Sequence, residues 1–274
     1  MKVEAIDHLH LLVPDLKQVG ALFGALIGGE FTEPYGGEPW NAWSVWYGLG
    51  GMEIMEPIRQ MEPILGGHPS DRMGIFGIAF RVTDLDARVP DVEALGLRLR
   101  SRMGSEETGF GKWIRQAQFD PSDSFGAVIE IAQRELPDDP LYSAFRQIID
   151  HVEFFVHDLP RAVGLFSALT GWEFPAPVTI DQIKARSTLN ALGLKITQPV
   201  SADSPVADTL ARLGEGIRVL ALATSNLEAS IAKAQAVGLR LVSHGCPNGL
   251  SREVQFDPAD TFGLVLKLVE RHAD

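Results

Sequence analysis

Cysteine and positive charge are both scarce in this chain of 274 residues. The one cysteine, Cys246, excludes an intrachain disulfide and fits a reducing compartment. With 24 basic against 36 acidic residues, the formal net charge is −12, so the chain lacks the basic excess that nucleic acids and anionic membranes attract. We therefore expect a cytoplasmic protein without nucleic-acid or membrane partners.

Long apolar runs are missing as well. The longest runs have about five to eight residues, which is the length of a strand and too short for a transmembrane helix. The N-terminal MKVEAIDHLH lacks the apolar run of a signal peptide. The glycines of GLGG at 48–51 lack the strand-loop-helix context of a nucleotide loop, so no nucleotide cofactor is expected.

What the chain does contain is a histidine-bearing strand pattern at 6–16, IDHLHLLVPDL. Successive side chains of a strand point to opposite faces, so His8, His10 and Leu12 share one face. The stretch at 149–159, IDHVEFFVHDL, repeats this pattern with His151. A strand that turns a histidine inward is thus predicted twice.

The whole chain is an internal duplication. Six segments recur in the same order, which is a strong sign of repetition. The matched pairs are His10–Leu16 with Glu153–Leu159, Gly20–Phe31 with Val163–Phe174, Gly50–Pro57 with Leu192–Pro199, Gly74–Asp86 with Gly216–Glu228, Ala94–Ser101 with Ala236–Ser243, and Phe119–Ile131 with Phe256–Leu268. We predict two domains, 1–134 and 141–274, that meet in a polar, proline-bearing segment.

We predict that the order strand, helix, strand, strand, strand occurs twice in each half. This order makes an α+β fold. In the first half the predicted helices are 16–27 and 85–95, the second beginning at Asp84 or at Pro90. The predicted strands are 6–13, 30–33, 42–48, 51–57, 75–82, 97–103, 112–119 and 126–132. In the second half a helix at 226–237 is predicted to begin at Ser225 and end at Gly238.

The segments IDHLHLLVPDL, GGMEIMEP, GIFGIAFRV and FGAVIEI resemble the vicinal oxygen chelate superfamily. That superfamily includes glyoxalase I, bleomycin-resistance proteins, extradiol dioxygenases and methylmalonyl-CoA epimerase. The resemblance covers both halves. It implies tandem glyoxalase-like domains, each built from two βαβββ modules that form a cupped mixed sheet, with a divalent metal commonly held in the cup.

The resemblance also implies metal ligands, which carry over as His8, Glu53 and Glu130. The remaining ligand position falls on Gly77, which cannot bind a metal. His10 replaces the missing ligand only with a favourable side-chain rotamer, because it lies nearly 7 Å along the strand from His8 (about 2 × 3.3 Å). Two carboxylates and an imidazole suit a divalent ion such as Mn, Co, Ni, Zn, Mg or Fe.

The second half keeps the histidine and loses both carboxylates. Lys195 and Lys267 stand where Glu53 and Glu130 stand in the first half, and lysine cannot hold a cation. These lysines either pair with Glu153, bind an anionic group, or belong to a degenerate cup filled by its own side chains. One site per chain, in the first half, is expected.

Four further residues are candidates for a substrate pocket. Trp43 and Trp46 lie near the Glu53 strand and point to opposite faces, so one of them lines the cup or both are ordinary packing. Tyr35 is a candidate donor at the mouth. Arg81 either receives a carboxylate or a CoA phosphate or forms a surface ion pair.

The leading functional hypothesis is a metal-dependent isomerase, epimerase or lyase that acts on a small carbonyl or acyl substrate through an enolate. Glu53, Glu130 or His10 would be its base. The alternative is a metal-free protein that binds aromatic or drug-like molecules, and the third reading is an extradiol-type dioxygenase. The sequence leans towards an enzyme with a small-molecule substrate and leaves a homodimer open.

Overall fold

The computed structural model describes residues 2–28, 31–46, 51–64, 68–69, 71–104, 114–134, 148–245 and 251–271. In this part of the chain each sequence half forms one eight-stranded mixed sheet. The two sheets have the same strand order, which confirms the predicted α+β duplication.

The first sheet places three site-bearing strands close together. Its strand order is β2-β3-β4-β1-β5-β8-β7-β6, so β1 lies between β4 and β5. Strand β8 runs parallel to β5, with Ala79 opposite Glu130. The strands are β1 (Ala5–Leu12), β2 (Tyr35–Gly37), β3 (Ala42–Trp46), β4 (Gly51–Pro57), β5 (Gly74–Arg81), β6 (Leu99–Met103), β7 (Ile114–Phe119) and β8 (Val128–Arg134), with helices α1 (Leu16–Ile27) and α2 (Leu85–Ala94).

The second sheet repeats this plan in the order β10-β11-β12-β9-β13-β16-β15-β14. Its strands are β9 (Ile149–Phe155), β10 (Val178–Ile180), β11 (Ala185–Leu189), β12 (Leu194–Pro199), β13 (Gly216–Ala223), β14 (Leu241–Gly245), β15 (Ser251–Phe256) and β16 (Val265–Arg271), with helices α3 (Leu159–Thr170), α4 (Pro205–Leu213) and α5 (Leu227–Ala236).

Polar side chains cap the N-termini of the helices. The carboxylate of Asp15 accepts a hydrogen bond from the amide of Gln18, and Asp84 caps α2 in the same way. Helix α2 therefore begins at Leu85 and continues through Pro90. The predicted cap at Ser225 is wrong by one residue, because the amide oxygen of Asn226 caps α5.

One predicted strand is displaced in the structure, and one helix was not predicted. The strand predicted at 30–33 is wrong, since the strand lies at Tyr35–Gly37. Thr32 exchanges hydrogen bonds with Trp46, but Pro34 has no N–H with which to continue the ladder. Helix α4 was not predicted; it begins at Pro205, after the cap residue Ser204, whose hydroxyl accepts a hydrogen bond from the amide of Val206.

Compact packing follows a different division from the sheets. One compact unit comprises residues 1–9, 76–139 and 153–217. Within it the amide of Val3 donates to the carbonyl of Thr170 at 2.8 Å, and buried Arg88 donates to the carbonyl of Leu169.

The other compact unit comprises residues 10–75, 140–152 and 218–274. Within it, side chains of α1 and of the segment leading into β16 line a small apolar cavity. The predicted domain boundary and Cys246 fall outside the described residues, so the boundary stays a prediction. In the described part of the chain, the helices are too short or too polar to cross a membrane.

Candidate functional site

The first histidine of β1 is fully buried between two carboxylates. His8 Nδ1 lies 2.8 Å from the carboxylate of Asp7, and His8 Nε2 lies 3.3 Å from Oε1 of Glu130. All three side chains have no solvent exposure. The strand order explains the second contact, since β8 is the second strand away from β1.

Asp7 sets the orientation of the His8 ring. Arg134 donates to both oxygens of Asp7 at 2.8–3.0 Å, and Arg81 Nε lies 3.3 Å away. Burial alone would raise the pKa of Asp7, but the hydrogen bond from His8 and the charge of Arg134 outweigh it and hold that pKa well below its ordinary range. An ionised Asp7 accepts a hydrogen bond from the Nδ1–H group, and this tautomer of His8 presents its lone pair at Nε2, as metal-binding histidines commonly do.

The second histidine of β1 meets the carboxylate on β4. His10 Nδ1 lies 3.0 Å from Oε2 of Glu53, and the hydroxyl of Tyr35 donates to Oε1 of the same carboxylate. His10 is 1% and Glu53 6% exposed. Both oxygens of a buried carboxylate are thus engaged by side chains of this half.

His8, His10 and Glu53 form a group that fits a divalent metal ion. One ligand atom from each lies within 4.8 Å of the others. Ligands about 2.0–2.2 Å from a shared ion lie about 3–4 Å apart, so the spacing suits a common centre. Two imidazoles and one carboxylate favour a transition-metal ion over Mg²⁺ or Ca²⁺. Glu130 contacts His8 and lies outside this group of three.

The four candidate pocket residues differ in their exposure and in the residues that they contact. Trp46 is buried opposite Glu53 in the β3–β4 register, whereas Trp43 is 46% exposed. Tyr35 binds Glu53, and Arg81 pairs with Asp7. Their role in substrate binding stays a prediction.

The histidine strand of the second half keeps one part of this arrangement. His151 Nδ1 lies 2.5 Å from Asp150, which also binds Arg271. Burial alone would raise the pKa of Asp150, but the hydrogen bonds from His151 and Arg271 lower it on balance.

The lysines of the second half bind carboxylates of their own. Lys195 Nζ lies 3.4 Å from Glu153, which also accepts a hydrogen bond from Thr197 at 2.5 Å. Lys267 Nζ lies 3.2 Å from Glu253. Lys195 therefore pairs with Glu153, which is one of the alternatives left open by the sequence.

Two residues of the first half were missed by sequence reasoning. Gln118 lies opposite Glu130 in the β7–β8 register, and its amide donates to Glu130 Oε2 at 3.0 Å. Asp7 is the anchor of His8. The signals were present, since Gln116 and Gln118 alternate along a buried strand and an Asp-His pair occurs in both halves.

One further histidine is buried in this half. His68 is 7% exposed, and its Nε2 lies 3.0 Å from the carbonyl oxygen of Arg72. Burial lowers the pKa of His68, and the charges of Arg72 and His10 act in the same direction.

Comparisons with known proteins agree with the fold. A family model described as Glyoxalase/Bleomycin resistance protein/Dioxygenase superfamily matches residues 7–139 and 150–256. A 4-hydroxymandelate synthase variant from Streptomyces coelicolor superposes with a TM-score of 0.74 at 13% identity, covering 100% of this chain and 94% of that one. At this identity the likeness shows the fold alone.

Epimerases match about half of the chain. Mitochondrial methylmalonyl-CoA epimerase of Bos taurus is 26% identical over 132 residues, which cover 47% of this chain and 73% of that protein. The methylmalonyl-CoA epimerase structure from Mycobacterium tuberculosis is 27% identical with a TM-score of 0.43, covering 46% of this chain and 89% of that one.

Proposed function

This chain belongs to the Glyoxalase/Bleomycin resistance protein/Dioxygenase superfamily, and within it we propose a metal-assisted isomerase or epimerase acting on a small carbonyl or acyl compound. The observation that carries the proposal is the buried group of His8, His10 and Glu53, whose ligand atoms lie within 4.8 Å of one another. The sequence similarity to methylmalonyl-CoA epimerase supports an acyl thioester as the substrate class.

The proposal divides the two carboxylates of the first half between two tasks. Glu53 lies among the three closely spaced donors and is assigned to the metal ion. Glu130 lies outside that group and is assigned to proton transfer, with Gln118 holding its Oε2 while Oε1 faces His8. A bound divalent ion supplies Lewis-acid stabilisation of negative charge on a substrate oxygen.

Burial makes this proton transfer effective. Glu130 has no solvent exposure and Glu53 is 6% exposed, so neither carboxylate is screened by bulk water. A proton removed next to a carbonyl group would pass to Glu130. Its return from Glu130 to the same face restores the starting stereoisomer, so inversion requires a proton delivered by a second acid to the opposite face of the carbon.

The donor set also favours a second candidate, an Fe(II)-dependent oxygenase. Two histidines and one carboxylate with open positions are typical of non-heme Fe(II) oxygenases, and His8, His10 and Glu53 supply that set. The bound metal and oxygen consumption distinguish this candidate from the epimerase.

The first test is the metal content of protein purified without chelator, measured by plasma mass spectrometry. We expect a divalent ion stoichiometric with the chain, lost in His8→Ala and in Glu53→Gln. The matched control is His151→Ala, which removes the equivalent histidine of the second half and should retain the ion. No metal above background in the wild type would contradict the proposal and favour the metal-free binding protein, to be screened with aromatic ligands.

The second test is exchange of the substrate α-proton with deuterated solvent, with methylmalonyl-CoA as the probe. Glu130→Gln should retain the metal and lose exchange by about 10²–10⁴-fold, which is the usual contribution of a general base. Full exchange in Glu130→Gln would move the base to another residue. Oxygen consumption without exchange would favour the oxygenase.

A further inference from the structure

The carboxylate of Glu53 is held from two sides. Tyr35 donates its hydroxyl proton to Oε1, and His10 Nδ1 lies 3.0 Å from Oε2. A hydrogen bond to an ionised acceptor is about twice as strong as one between neutral groups. These two contacts restrict the rotation of the carboxylate about its own axis.

Strand β2, which precedes β3, brings Tyr35 to the carboxylate of Glu53. In the β2–β3 register Tyr35 lies opposite Ser44, and Gly36 lies opposite Trp43. Gly36 has φ +107°, and a Cβ there would lie 2.5 Å from the carbonyl oxygen of Ala42. Glycine is therefore required next to Tyr35, on grounds of both backbone conformation and space.

The ring of Tyr35 is fixed as well. The ring of Trp40 lies edge-on to it, with centroids 5.8 Å apart and an interplanar angle of 85°. Asn41, which follows in a left-handed conformation, donates its amide to the carbonyls of Arg59 and Glu62. The position of the Tyr35 ring thus depends on a contact that does not involve Glu53.

We propose that Tyr35 is a positioning residue that orients Glu53 and thereby sets the affinity of the His8, His10 and Glu53 group for a divalent cation. The proposal rests on the proposed function, because it requires a metal ion at that group. Outer-shell partners of metal ligands contribute in this way, and their loss usually weakens metal binding by about 10–100-fold. Tyr35 thus acts on the site through Glu53.

The test is cobalt(II) binding to the metal-free full chain, followed by visible absorption and by calorimetry. Tyr35→Phe keeps the ring against Trp40 and removes the hydroxyl alone. We expect about 10–100-fold weaker cobalt binding, a changed cobalt absorption spectrum, and, without metal, a folded chain whose melting temperature falls no further than that of the control variant. The matched control is Thr197→Val, which removes a hydroxyl from the buried carboxylate of Glu153 in the second half and should leave cobalt binding unchanged.

A second variant separates the hydroxyl from the packing of the ring. Trp40→Phe keeps the Tyr35 hydroxyl and reduces the edge contact, so its loss of cobalt affinity should be smaller than that of Tyr35→Phe. A larger loss in Trp40→Phe, or equal affinity and spectrum in Tyr35→Phe and the wild type, would overturn the proposal and leave the metal site intact. A wild type that binds no cobalt would overturn both the proposal and the proposed function.

Discussion

The two halves of the chain share a strand order and a trio of interacting side chains, and they differ in the charges around that trio. In each half a histidine of the first strand binds the preceding aspartate, which an arginine at the end of the last strand also holds. The trio is Asp7, His8 and Arg134 in the first half and Asp150, His151 and Arg271 in the second. A trio retained without neighbouring metal ligands belongs to the architecture of the half-chain, whatever else it does.

Three other positions distinguish the halves. His10, Glu53 and Glu130 of the first half correspond to Glu153, Lys195 and Lys267 of the second. The first set contains two of the three closely spaced donors, His10 and Glu53, whereas the second set contains two lysines that bind carboxylates. The comparison teaches that the two halves differ in the charges of a few side chains and not in the order of the strands that carry them.

The largest expected effect is a second metal site. The double variant Glu153→His with Lys195→Glu gives the second half the donor set of the first, and it removes the pairing of Lys195 with Glu153. In a His8→Ala background, where the original site is disabled, we expect cobalt binding to reappear. The measurement is a cobalt titration followed by visible absorption.

The control for this variant is Lys267→Glu alone in the same background, which adds a carboxylate but no second histidine and should bind cobalt much more weakly. A folded double variant with no cobalt binding would show that the halves differ in backbone position as well as in side chains.

The next effect concerns the shared trio. Asp7 is fully buried between two arginines, whereas Arg271, which holds Asp150, is 52% exposed. Asp7→Asn leaves two arginines that are only 9–12% exposed without this counter-charge and should lower the free energy of unfolding by about 3–5 kcal/mol. Asp150→Asn should cost less, about 1–2 kcal/mol, because Arg271 can rehydrate.

Urea denaturation of the two metal-free variants measures this difference. Equal losses would mean that the arginines beside Asp7 rehydrate as readily as Arg271 does.

The fold could be predicted from the sequence because its signals are local and repeated. The six matched segments and the strand periodicity predicted two copies of one pair of βαβββ modules, and the two sheets have that plan. The predictions fail at positions where a single residue determines the local backbone conformation. Pro34 moves the second strand to Tyr35–Gly37, and Asn226 caps α5 in place of Ser225.

It was harder to predict from the sequence which residues form the closely spaced donor group. The resemblance implied His8, Glu53 and Glu130, whereas the closely spaced group is His8, His10 and Glu53. Spacing along a strand fixes the distance between Cα atoms, but side-chain rotamers decide whether two ring nitrogens approach one point. Tyr35 lies 18 residues before Glu53, and nothing in the sequence pattern links the two.

The smallest expected effect is a pH dependence confined to the first half. Counting from the matched residues Gly74 and Gly216, buried His68 corresponds to buried Leu210, which has no proton to gain. Burial holds the pKa of His68 below its ordinary value of 6.5. The unfolded chain therefore binds this proton more readily than the folded one, so stability falls as the pH drops through about 6.5.

His68→Gln keeps a donor for the carbonyl of Arg72 and removes the titration. The variant should therefore lose less stability than the wild type between pH ~7.5 and pH ~5.5. The difference is at most about 1.4 kcal/mol, because the unfolded chain takes up this proton over only about one pH unit of that range. Urea unfolding of metal-free protein at both pH values measures this, with Leu210→His as the reciprocal variant that should introduce the same sensitivity into the second half. Parallel losses in the wild type and His68→Gln would mean that the folded state takes up this proton at no cost, and that the acid sensitivity of the first half lies in another residue.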